Sequence, residues 1–151
     1  MIEQLNPKPM LGWREWVALP ELNIELVKAK IDTGARSSAL HAFAIEPYRK
    51  GGERWVMFAI HPIQKQTDIS IECHAPIKDR RIVSDSGGHK QHRYVIETQL
   101  ILGKKTIKAE MTLTNRDSML FRMLIGRTTM SDQFIIDPHA SFLQGKPHSQ
   151  P

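Results

Sequence analysis

The residues best placed to do chemistry stand at the end of one alternating stretch. Val27, Ala29 and Ile31 alternate with Lys28 and Lys30, and Asp32-Thr33-Gly34-Ala35 follows at once. Such alternation is that of a half-buried strand. A strand that ends in an acid aims its carboxylate in one direction. Gly34 permits backbone conformations closed to other residues and lets an N–H approach the carboxylate. Thr33 adds a hydroxyl able to bond across to a neighbouring strand. At a shared, partly buried site a carboxylate held this way has a shifted pKa. A second element lies far along the chain. Met123-Leu124-Ile125-Gly126-Arg127 reads as a buried strand that ends in glycine and runs into a short helix over residues 127–132.

The elements that must position these residues are mostly strands. Ile24 and Leu26 are out of phase with Val27, which predicts a bulge near Leu26. The apolar run Trp55 to Ile60 is too short for a helix and predicts a buried strand. Tyr94 to Leu102 alternates, Gly103-Lys104-Lys105 turns, and Ile107, Ala109, Met111 and Leu113 return on one face, a hairpin signal. A weak helical signal follows Gly34. Many short strands and few helices indicate an all-β barrel or sandwich. At 151 residues, 40% hydrophobic and 25% charged, the chain has room for one domain with its own core. Residues 1–11 read as an arm, 12–143 as the domain and 144–151 as a flexible tail.

Composition narrows the function. The net charge is +5, which favours acidic partners. One cysteine, Cys73, excludes an intrachain disulfide and fits a reducing compartment. Neither a leader-like start nor a run near the ~20 apolar residues of a membrane span is present, so a soluble cytoplasmic protein is expected. The sequence lacks a phosphate-binding Gly-rich loop, a Gly-x-Ser-x-Gly elbow and a His-Glu-x-x-His pair. His89, His92, Cys73 and His74 do not form a set with metal-ligand spacing, so no metal and no cofactor are expected. Without an aromatic-plus-basic stacking motif, nucleic acid is not expected as a partner either.

Gly12-Trp-Arg-Glu-Trp, Lys30-Ile-Asp-Thr-Gly-Ala-Arg-Ser-Ser-Ala-Leu-His41, Leu113-Thr-Asn-Arg-Asp-Ser-Met119 and Leu124-Ile-Gly-Arg127 together resemble a bacterial branch of the retropepsin-like aspartic proteases. Members of this branch often carry the label ATP-dependent zinc protease. The resemblance runs from about Gly12 to Phe142. It implies an acid-protease barrel protomer, with a later strand threaded beneath the Asp loop and one short helix near the C-terminus. It also implies an aspartic endopeptidase in which Asp32 is the catalytic carboxylate, Thr33 supports the loop across an interface, and Gly34 shapes the turn. Relatives are linked to an enzyme that adds glutamate tails to a ribosomal protein, so the implied substrate is an acidic protein or peptide tail.

Aspartic proteases use two carboxylates that share one proton. Asp85-Ser86-Gly87 does not supply the second, because Gly88 follows and Arg80, Arg81 and Ser84 break the strand before it. It reads as a hairpin tip. The resemblance therefore implies a homodimer with one Asp32 per chain and a flap between about Arg80 and Arg93. Viral relatives carry acids after the Asp-Thr-Gly-Ala turn, one of them pairing the later arginine. Here Arg36 and Ser37 stand in those places, and Arg127 loses that partner. Ala35 in place of Ser removes a donor near the carboxylate and favours activity nearer neutral pH. Eight cations face three acids between residues 78 and 108. Ala35, Arg36, Arg81, Arg93 and Arg116 are accordingly expected to meet substrate. Two alternatives stand beside this reading: a non-catalytic module that binds acidic peptides, and a metal-dependent hydrolase.

Overall fold

The computed structural model describes residues 7–63, 68–84, 87–115 and 120–147. Asp85, Ser86 and Arg116 lie outside these residues. Strands dominate because the alternating segments each bury one face. β1 (Met10–Leu11) and β2 (Arg14–Leu19) precede a 3-10 turn at Pro20–Leu22 and β3 (Ile24–Ile31). In β3, Ile24, Val27, Ala29 and Ile31 are buried, while Glu25 and Lys30 are exposed. The expected bulge is present: Val17 faces Val27 but Leu19 faces Ile24, so β3 carries one residue more than β2 between those pairs.

Six strands close into a barrel. β4 (Ser38–His41), β9 (Lys90–Leu102), β10 (Lys105–Thr114) and β11 (Met123–Ile125) join β2 and β3 in the order β10-β4-β11-β3-β2-β9, and β9 pairs back onto β10. The β9–β10 hairpin turns at Gly103, whose φ of 60° suits a residue without Cβ. β8 (Asp79–Ser84) extends the sheet from β9. A separate sheet is built from β5 (Phe43–Lys50), β6 (Glu53–Ile60) and β7 (Ile71–Pro76). β6 is not buried on both faces as its apolar run suggests. Val56, Phe58 and Ile60 enter the core, while Trp55, Met57 and Ala59 stay partly exposed. Being central among three strands, β6 has only one face against the barrel. Every described helix is too short to cross a membrane.

Both ends of the domain are tied to it. β1 pairs in parallel with β12 (Ile135–Ile136), and Leu11 is fully buried. Trp16 stacks on Phe142, and the Arg14 guanidinium lies over both Trp13 and Phe142. Beneath this stack Glu15 is 0% exposed. Its carboxylate accepts the N–H groups of Gly12 (2.7 Å), Leu143 (2.9 Å) and Gln144 (3.1 Å). Glu15→Ala would strand those donors, and we expect a loss of about 3 kcal/mol, read as a lower urea midpoint at unchanged slope.

Candidate active site

Asp32 continues the ladder of β3, its N–H donating to the Ile125 carbonyl at 2.9 Å. The Gly34 N–H donates to Asp32 Oδ1 at 3.0 Å, and the Ala35 N–H to the Asp32 carbonyl at 3.2 Å. Gly34 serves the turn differently from the sequence expectation. Its φ is not positive; an added Cβ would instead stand 3.3 Å from Asp32 Oδ1. Close approach of an N–H to the carboxylate, not left-handed backbone, is what this position supplies. Asp32 is partly exposed, and Thr33, Gly34 and Arg36 are exposed.

The platform under the turn is β11 and the helix after it. β11 lies between β3, to which it is parallel, and β4, to which it is antiparallel. The chain then enters α1 (Arg127–Met130), the first four residues of the expected span. The Arg127 and Thr128 N–H groups donate to the carbonyls of Ala35 (2.9 Å) and Arg36 (3.0 Å). Those bonds occupy the carbonyls that a helix after Gly34 would need, and none forms there. The Gly126 N–H donates to Ser38 Oγ at 3.0 Å, and Ser38 Oγ also meets Thr129 Oγ1. Arg127 does have a partner: Nη1 donates to the Thr33 carbonyl at 3.0 Å. It clamps the Asp turn to the start of α1.

A carboxylate turn seated on a threaded strand and short helix is matched by known sequences. Residues 10–147 match the RimB-like family, described as retropepsin-like aspartic endopeptidase RimB. The chain belongs to that family. A protein named "Probable alpha-L-glutamate ligase" from Shewanella pealeana is 44% identical over 92% of this chain. One of the same name from Desulfotalea psychrophila is 44% identical over 87%. The chain spans only 30% and 28% of their lengths. A crystal structure of a Legionella pneumophila protein of unknown function superposes with a TM-score of 0.75 at 26% identity, covering 91% of this chain and 99% of that one.

The cations expected to meet substrate lie on two elements. Arg36 stands in the Asp turn, beside Ala35. Arg81 and Arg93 sit directly across from each other in the β8–β9 hairpin, whose last pair is Ser84 with Lys90. Arg93 Nε donates to Gln91 Oε1 at 3.1 Å. Arg81 is held by carboxylates, at 2.8 Å from Asp79 and 3.1 Å from Glu110. Lys78 bridges Glu97 (2.6 Å) and Glu110 (2.7 Å), and Lys108 meets Glu97 at 3.3 Å. Three cations thus face three acids on one sheet surface.

Hydrogen bonds from Lys78 hold Glu97 and Glu110 below the usual carboxylate range, and one from Arg81 does the same for Asp79. A depressed folded pKa contributes stability above the unfolded value and loses it as pH falls through the folded one. We expect stability to decline below about pH 4, and Glu110→Gln to flatten that decline. The effect should shrink in high salt because the groups are exposed. Thermal melts from pH 6 to 3 at two ionic strengths would read both.

Zinc needs three or four converging donors. Among the described residues no three His, Cys, Asp or Glu side chains converge so. Burial pushes the Cys73 thiol up to about 12, away from the thiolate a metal would bind. The described residues do not fit a zinc centre. A groove of about 530 Å³ lies along the first half of β3, lined by Trp16, Glu25, Lys28 and Ile63 among others. None of its lining belongs to the Asp turn.

Proposed function

We propose that this chain is an aspartic endopeptidase that works as a homodimer, with one Asp32 from each protomer at the axis. The observation that carries this is the Asp32 carboxylate itself: capped by the Gly34 N–H, partly exposed, and held in a turn seated on β11 and α1. Two such carboxylates brought within hydrogen-bond reach share one proton. The ionised one takes a proton from water, and the resulting hydroxide attacks the scissile carbonyl carbon. The protonated one gives its proton to the carbonyl oxygen. Collapse of the tetrahedral species breaks the C–N bond: the amine leaves with the proton taken from water, and a hydroxyl of the diol returns its proton to the other carboxylate, restoring the pair. Thr33 supports the turn, Ala35 and Arg36 border the substrate path, and the β8–β9 hairpin closes over it.

The substrate we infer is a glutamate-rich protein tail in the cytoplasm, such as that of a ribosomal protein. Supporting it, relatives named as glutamate ligases carry a segment 44% identical to this chain within a polypeptide about three times as long. A hydrolase sharing a chain with a glutamate-adding enzyme is suited to act on what that enzyme makes. The charge of +5 favours the same partner. The test is cleavage of a peptide ending in four glutamates, with a four-glutamine peptide as control. Cutting of the first in clear preference to the second supports the reading. Equal cutting contradicts the substrate, and tight binding without any cutting favours a non-catalytic module for acidic peptides.

A further inference from the structure

Arg122 stands at the start of the strand that supports the Asp turn, and it is 8% exposed. Its Nε is buried without a hydrogen-bond partner, and no described carboxylate forms an ion pair with it. The other deeply buried charge, Glu15, is met by three N–H groups. Removing a charge from water without a partner costs several kcal/mol. A fold that satisfies the Glu15 carboxylate so fully and leaves the Arg122 Nε open points to a ligand for the guanidinium.

Register shows what that ligand would meet. Leu124 faces Lys30, and β11 runs parallel to β3. Side chains alternate along a strand, so Arg122 lies across from Lys28 and shares one face of the β11–β3 pair with Leu124, Lys30 and Asp32. That face is turned away from the core, which takes Ala29, Ile31, Met123 and Ile125 instead. Across the sheet, the His41 N–H donates to the Arg122 carbonyl, and His41 pairs with Thr114. Thr114 Oγ1 is a second buried polar atom without a partner. Arg122 lies about 13 Å along the ladder from Asp32, roughly four residues of an extended peptide.

We propose that Arg122, with Lys28 across from it and Lys30 further along the same face, is a carboxylate receptor that seats an acidic side chain of the substrate about four residues from the scissile bond. This rests on the peptidase reading for its setting. A guanidinium fork matches a carboxylate in a bidentate way, and burial strengthens the pair. Specificity for glutamate would then come from this buried cation, while the exposed cations act mainly on encounter.

Binding of tetraglutamate and tetraglutamine peptides by calorimetry tests this in the Asp32→Asn background, so that the outcome does not depend on cleavage. We expect Arg122→Met to weaken tetraglutamate binding about 10- to 100-fold and leave tetraglutamine unchanged. Arg122→Lys should recover part of the loss. The melting temperature of Arg122→Met without peptide should be unchanged or higher, since an unpartnered charge is replaced by apolar volume. Retained preference for tetraglutamate in Arg122→Met would overturn the proposal. So would a lower melting temperature with equal loss for both peptides, which would make Arg122 structural. If tetraglutamate binds through Arg122 but the chain with Asp32 intact cuts nothing, the receptor stands and the peptidase reading falls.

Discussion

Asp32→Asn should erase peptide hydrolysis, by about 10³-fold or more, while the protein stays folded and still binds its acidic peptide. The substitution is nearly isosteric. The asparagine carbonyl oxygen can accept the Gly34 N–H as Asp32 Oδ1 does at 3.0 Å, so the turn has no reason to rearrange. What disappears is the charge. Two asparagines have no proton to share and cannot take one from water. Unchanged melting and peptide affinity within about two-fold would assign the loss to chemistry. Unchanged cleavage would mean that the reacting groups lie elsewhere.

Gly126→Ala should be the most damaging single methyl added near the site. A Cβ there would sit 2.6 Å from the Ser37 carbonyl carbon and oxygen and 2.9 Å from the Arg36 oxygen. These are backbone atoms, so no rotamer change relieves the overlap. Arg36 also accepts the Thr128 N–H, and the Gly126 N–H is committed to Ser38 Oγ. Relief would have to separate the Asp turn from α1. We expect a loss of about 3 kcal/mol in stability, together with activity reduced well beyond the unfolded fraction. Urea titration and specific activity on the same preparation would separate these effects. By contrast, Gly88→Ala, with open space around its added Cβ but φ at +83°, should carry only the strain of that backbone and leave the Asp turn untouched.

Much of this site was legible in the residues because it is local. The strand into Asp32, the strand into Gly126, the short helix and the Gly103 hairpin are each specified by neighbours in sequence, and each forms. What was not legible depends on pairing between distant segments. Arg81 looks like an available cation until β8, β9 and β10 align and bring Glu110 to it. A charge count that stops at residue 108 misses that partner. Glu15 reads as an ordinary strand acid, yet its donors include Leu143 and Gln144 at the far end of the chain. The weak helix after Gly34 fails because α1 takes the Ala35 and Arg36 carbonyls. Arg122 is the most instructive miss. A lone arginine in an apolar run carries no signal of burial, and only the register of β11 against β3 and β4 reveals its face. The interruption of that run was the one available clue.

Hydrolysis on a shared carboxylate pair needs an Asp32 from each of two chains. Co-expressing the protein with its Asp32→Asn variant, purifying the mixture and measuring cleavage against composition at fixed total protein tests that need. Random pairing with inactive mixed dimers predicts activity that follows the square of the intact fraction, about one quarter at equal amounts. Activity that falls linearly, to about one half, would show that each chain works with its own Asp32 alone and would contradict the shared site.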